Sequence, residues 1–269
     1  MAKNELALMD NFKIANRFEG MDPDLVEELR DQMEDLDEEN GIACRRIKIP
    51  SGGGLAYEVE GDDEDDTEPM KEVSGVIVFT HRMNAYWESA YGENPDESKA
   101  PSCASMDGKV GIDGETGEVR NCENCPYNEY GTDIKGGKGK ACKNMRRVYL
   151  MMDGNPNLYL LTVPPTSIKD VNKQLARIMG NGVPYTGLIL SFKLEKATNT
   201  NGIKYSKMVV SKKGLLPPAV AASARDLRRQ IKDKYKEMAV TAGDYNAPTQ
   251  DPGTDYVEVT GEDTALPFN

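Results

Sequence analysis

The sequence predicts a mainly β, α+β chain: a small, partly open β-barrel with flanking helices. Three observations predict it. Five or six runs rich in β-branched and aromatic residues are separated by turn signals. Only a few stretches repeat apolar residues at helical spacing. Between the strands lies a long segment, residues 83–145, rich in Gly, Asn, Cys and charge and with little periodicity of either kind. An open α+β sheet domain satisfies the same observations.

The chain opens with an acidic leader and helix over residues 1–42. Asp22 stands at the N-cap with Pro23 at the first helical position, Leu25, Leu29, Met33 and Leu36 recur on one face, and Gly41 stops the run. Arg45 to Pro50 alternates as a strand, Ser51 to Gly54 turns, and Leu55 to Glu60 alternates again. The acid run over 61–69 reads as a solvated loop. Val73 to Arg82 is β-branched and reads as a buried strand. Arg146 to Met152 and Leu158 to Val163 form a hairpin across Asp153-Gly154-Asn155-Pro156.

Ser167 with Asp170 resembles a capping box, and Ile168, Val171, Leu175 and Ile178 give a helical stripe ended by Gly180-Asn181-Gly182. Tyr185 to Ala197 and Ile203 to Ser211 make a second hairpin around Asn199-Thr200-Asn201-Gly202. Pro217-Pro218 starts a final helix that runs to about Val240. Residues 241–269 are too polar to bury a core and read as a disordered acidic tail. The domain is thus expected over 43–240, OB-like, with 83–145 as an insertion.

A net charge of −12 argues against a polyanion as partner until it is divided along the chain. Residues 1–70 carry 7 Lys/Arg against 21 Asp/Glu, residues 71–240 carry 26 against 18, and residues 241–269 carry none against 6. A basic middle lies between two acidic ends, which is a statement about partners and not about fold. No apolar run approaches the ~18 residues of a membrane span. The N-terminus lacks the basic-then-apolar pattern of a signal peptide. A cytoplasmic protein is expected, in which clustered cysteines point to metal more than to disulfides.

Cys103, Cys122, Cys125 and Cys142 are spaced C-x18-C-x2-C-x16-C. Two cysteines two residues apart reach one ion from a tight turn, and two more close a tetrahedral all-thiolate site. One structural Zn²⁺ would order a segment that has no core of its own. An iron–sulfur cluster uses the same four ligands. Cys44 reads as a small half-buried hydrophobe, and His81, the single histidine, as structural or DNA-contacting. With one histidine and no GxSxG, P-loop or HExxH pattern, the chain is expected not to be an enzyme.

Basic and aromatic residues interleave around the cysteines. Lys135, Lys138, Lys140, Lys143, Arg146 and Arg147 form a run without an acid, flanked by Tyr127 and Tyr130. Upstream stand Arg82, Tyr86, Trp87 and Tyr91, and downstream Lys193, Tyr205 and Lys207. Basic grooves with stacking side chains hold single strands without sequence preference, at ~1–3 kcal/mol per stacked base.

Two resemblances sharpen this reading. The ending Gly261-Glu262-Asp263-Thr264-Ala265-Leu266-Pro267-Phe268-Asn269 resembles the tail of bacterial single-stranded DNA-binding proteins, although that family ends on Pro-Phe and this chain adds Asn269. The resemblance implies that Leu266, Pro267 and Phe268 dock on replication or recombination proteins. Val76-Ile77-Val78, His81-Arg82, Asn84-Ala85-Tyr86-Trp87, Cys122-Glu123-Asn124-Cys125-Pro126-Tyr127-Asn128 and Gly137 to Arg147 are similar to a group of phage and prophage proteins regarded as single-stranded DNA-binding. That likeness covers roughly residues 73–165. It implies an OB-like core with a zinc insertion, at work in phage DNA replication, recombination or repair. The alternative class is a zinc-ribbon regulator or recruitment factor that binds duplex DNA or RNA polymerase.

Overall fold

The computed structural model describes residues 7–15, 20–36, 44–50, 52–61, 66–88, 100–134, 136, 138–198, 202, 204–237 and 240. Tyr91, Lys135 and the 241–269 tail with Leu266, Pro267 and Phe268 lie outside the described residues. Among those described, β1 (Arg45–Lys48), β2 (Tyr57–Glu60), β3 (Thr67–Met70), β4 (Glu72–Tyr86), β5 (Cys103–Ser105), β6 (Val110–Asp113), β7 (Val119–Asn121), β8 (Lys143–Met152), β9 (Leu158–Val163), β10 (Leu188–Thr198) and β11 (Lys204–Leu215) form one sheet. The α-helices are α1 (Pro23–Leu36), α2 (Pro165–Met179) and α3 (Pro218–Lys234).

The strand order is β3-β2-β1-β9-β8-β4-β5-β6-β7, with the β10–β11 hairpin branching from the start of β4. β1 runs parallel to β9, and the other pairs are antiparallel. The protein is mainly β, as expected, and its sheet is open and mixed.

β4 is the spine because Val73, Val76, Ile77 and Val78 suit a strand buried on both faces. Ile77 packs in the core beneath α2 with Val148, Leu161 and Val171, whereas Val76 and Val78 pack in the core beneath α3 with Tyr149, Ala224 and Ile231. Phe79 shares the side of Val78, and the register with β8 slips between Ile77 and Phe79. A bulge of this kind inverts the alternation beyond it. Thr80, Arg82, Asn84 and Tyr86 therefore continue on the face of Ile77, while His81, Met83 and Ala85 continue on the other.

All three helices carry proline at the first turn, where no intrahelical N–H is lost. The Asp22 carboxylate accepts the Asp24 N–H at 2.9 Å, as an N-cap should. The capping box expected at Ser167 is not formed, because α2 starts two residues earlier at Pro165. Ser167 is fully buried, and its hydroxyl oxygen accepts the Met208 N–H at 3.0 Å. Gln174 Oε1 accepts the Val210 N–H at 2.7 Å. Side chains of α2 thus satisfy the outer edge of β11, which would otherwise offer unpaired donors.

Two further differences concern short strands. Thr67–Met70 pairs with β2 although it closes an acid run. The segment over 83–145 supplies β5, β6 and β7, of three to four residues each, too short to display alternation. It hangs between β4 and β8, where Met83 and Met145 face each other as register partners and are both buried.

Candidate metal centre and nucleic-acid surface

A strand start, one knuckle and the entry to β8 bring the cysteines together. Cys103 starts β5 opposite Tyr86 on one side and Asp113 on the other. Cys122 follows β7 and donates its N–H to the Lys109 carbonyl at 2.8 Å. Cys125 precedes a 3₁₀ turn, Pro126–Asn128, closed by the Asn128 N–H on the Cys125 carbonyl at 2.9 Å. The Asn128 amide also donates to the Cys122 carbonyl at 2.7 Å, which ties the x2 loop into a knuckle. Cys142 enters just before β8, its N–H on the Tyr127 carbonyl at 2.8 Å.

All four thiols line one cavity of about 20 Å³, with Gly111 and Asn128 among its walls and no carboxylate. That is room for one atom-sized occupant. A methyl group on Gly111 would stand 2.9 Å from Cys103 Sγ, so only glycine lets β6 approach the sulfurs this closely. Burial, and then the neighbouring thiols, push the Cys142 thiol up to about 12, and the same two causes raise Cys103. Sulfurs so placed resist losing their protons together unless a cation takes them. Among the described residues, no group of three or more His, Cys, Asp or Glu side chains stands in the geometry of a formed metal site. The thiols are gathered on one cavity without closing around a common point. The donor set, all sulfur, fits a thiophilic ion and not a hard one.

A polar row leads from this cavity along the β4–β8 face set by the bulge. The Asn144 amide donates to Asn84 Oδ1 at 2.9 Å and to Asn128 Oδ1 at 3.0 Å, and Lys140 Nζ donates to the same Asn128 oxygen at 3.3 Å. Next along the strands, Arg82 stands directly opposite Arg146, whose Nη1 donates to Thr80 Oγ1 at 3.1 Å. Tyr86 and Tyr127 stack at 4.3 Å between ring centres and 12° between planes. Lys140 Nζ sits 4.7 Å over the Tyr130 ring, which is 62% exposed.

The remaining expected residues are placed differently. Trp87 is 9% exposed and packs with Met83, Ala85, Met145 and Val240, so its ring is not offered to a base. Arg147 is 1% exposed, opposite His81, and its Nη1 reaches Met106 Sδ at 4.0 Å. Both belong to the interior because odd-numbered β8 positions and odd-numbered β4 positions beyond the bulge face away from the polar row. Lys143 pairs with the buried Asp133 at 3.2 Å. Lys193 pairs with Glu72 at 3.0 Å, and Lys207 with Asp170 at 2.5 Å. Tyr205 is half-buried on β11, and Lys138 is exposed in the glycine loop. His81 is buried: Nδ1 bonds the Arg82 carbonyl at 2.9 Å and Nε2 the Tyr149 hydroxyl at 3.2 Å. Cys44 packs beside the core beneath α3, in keeping with its reading as a hydrophobe.

Gly111 was not singled out in the sequence, and Asn84, Asn128 and Asn144 stood there only inside longer motifs, without a role. An asparagine is an everyday loop residue, and only the pairing of Asn84 with Asn144 joins them. No family model, curated protein or solved structure matches the chain.

Proposed function

We propose that this protein is a non-enzymatic, sequence-tolerant single-stranded DNA-binding protein whose four cysteines hold one structural Zn²⁺. The observation that carries the reading is the row on one sheet face, from Arg82 and Arg146 through Asn84 and Asn144 to Lys140 over Tyr130, whose cations pair with no acid among the described residues. Arg82, Arg146 and Lys140 meet a phosphate chain there, with Asn84 and Asn144 tying the two strands together between them, while the exposed faces of Tyr127 and Tyr130 receive bases. Zinc would close Cys103, Cys122, Cys125 and Cys142 around one point and so fix the loop that carries Tyr127, Tyr130 and Lys140. The open sheet is then an opened OB-like barrel, with the metal element as its insertion between β4 and β8.

The resemblance of the sequence to phage and prophage proteins supports a role in the bacterial cytoplasm, in DNA replication, recombination or repair. The tail resemblance supports recruitment of partner enzymes through Leu266, Pro267 and Phe268. One observation favours the alternative of a recruitment factor: Val110, Ile112 and Val119 expose an apolar face on β6 and β7. Competition between labelled oligo-dT, its duplex and an RNA oligomer separates the two. Preference for the single strand supports the proposal, and equal or stronger binding of duplex supports the alternative.

A further inference from the structure

We infer that Arg82, Arg146 and Arg228, with the Tyr185 hydroxyl, form a seat for one phosphodiester group, so that α3 and not only the sheet grips the strand; this rests on the single-strand reading. Arg82 and Arg146 are direct cross-strand partners. Like charges in that position repel unless an anion lies between or beside them. Arg146 is mostly withdrawn from water, and its Nε is buried without a hydrogen-bond partner. Burial first, then Arg82, make its guanidinium less basic than usual, while Tyr185 lies within electrostatic reach. The Tyr185 hydroxyl accepts from Arg228 Nε at 2.9 Å, which brings the third cation in from the helix.

Among the described residues, no ion pair includes Arg82, Arg146 or Arg228, whereas Arg120, Lys143, Lys193, Lys207, Lys213 and Arg229 each have at least one. Arg82 and Arg146 face each other, and Arg228 is joined to their side of the sheet through Tyr185, which packs with the core beneath α2. The half-buried Arg146 has no carboxylate among the described residues to balance it. A phosphodiester supplies one charge and two acceptor oxygens, the geometry that guanidinium forks match. A carboxylate of an acidic peptide supplies similar chemistry. The seat lies in line with the Asn84–Asn144 pair and the Tyr86–Tyr127 stack on one face, so the occupant continues into groups that receive bases.

The test uses the full chain, with oligo-dT binding measured across salt for wild type, Arg228→Ala and the exposed neighbour Arg225→Ala. Arg228→Ala should flatten the log–log salt slope by about 0.7, equal to about a fivefold smaller change in affinity per tenfold change in salt. Arg225→Ala should match wild type. If Arg228→Ala fails to fold, Arg228→Gln, which keeps a donor for Tyr185, takes its place. A slope unchanged in the Arg228 variant while wild type binds oligo-dT overturns the seat and leaves the single-strand reading standing. Should wild type not bind oligo-dT, titration of inorganic phosphate followed on the arginine Nε–H resonances decides. Shifts at Arg146 and Arg228 uphold the seat without that reading, and their absence overturns both.

Discussion

The structure sorts the basic residues into two sets, and the sorting has a measurable consequence. Arg82 and Lys140 have no acid within ion-pair distance among the described residues. Lys193 and Lys207 do, in Glu72 and Asp170. The Glu72 carboxyl is held down to about 2, chiefly by the Ser191 hydroxyl and then by Lys193, and so remains charged in any ordinary buffer. A phosphate that approached Lys193 would meet that carboxylate as well. Neutralising a phosphate with an unpaired cation releases counter-ions at a slope of about 0.7 per contact on a single strand. Arg82→Ala with Lys140→Ala should therefore flatten the slope for oligo-dT by about 1.4, which is about 25-fold in affinity across a tenfold salt range. Lys193→Ala with Lys207→Ala should leave the slope within error of wild type. Fluorescence anisotropy at four or five salt concentrations suffices. A slope that falls as far in the second double variant as in the first would refute the sorting and move the strand to the β10–β11 hairpin.

Three other outcomes follow from the same geometry. Ser167→Ala removes the acceptor of a buried N–H and should cost about 1–3 kcal/mol in denaturant unfolding, with the Met208 amide losing exchange protection; a loss under about 0.5 kcal/mol would show the edge bond to be dispensable. His81 has its pKa lowered to about 4 by burial, opposed by its bond to the Arg82 carbonyl and aided by Arg147 and Arg146. Below pH ~6.5 the unfolded chain takes up a proton that the folded chain refuses, so stability should fall between pH ~6.5 and ~4, by at most about 3 kcal/mol. His81→Gln should remove that part of the pH dependence, and an unchanged profile would place the titration elsewhere. Purified protein should contain about one zinc per chain. Cys142→Ser should lose the metal and raise amide exchange over 100–142 more than in β8–β9; zinc-free or iron-coloured protein would contradict the site.

The strands that build the core were legible because each runs long enough to show its β-branched content, as Val73 to Val78 and Leu158 to Val163 do. The four cysteines were legible from spacing alone, and one cavity gathers them. Which face a residue takes was not legible, because the bulge at Ile77–Phe79 inverts the alternation and no sequence signal marks it. For that reason Trp87, which looks equal to Tyr86 in sequence, lies in the interior. Arg147 lies there because β8 is apolar on both faces, so its alternation does not tell Arg147 from Arg146. Ion pairs such as Lys207 with Asp170 join residues far apart in the chain, so a count of lysines overstated the surface available to a polyanion. β5, β6 and β7 stayed hidden for a different reason, since their order comes from pairing beside the cysteines and not from an apolar repeat.

The location of the strand is the central claim, and photocrosslinking tests it directly. Oligo-dT carrying iododeoxyuridine should crosslink to peptides that contain Tyr127 or Tyr130, 39% and 62% exposed beside the metal knuckle, and excess unlabelled oligo-dT should suppress the product. Crosslinks confined to Tyr205 on β11, or equal yields from duplex, would contradict a single strand lying on the β4–β8 face.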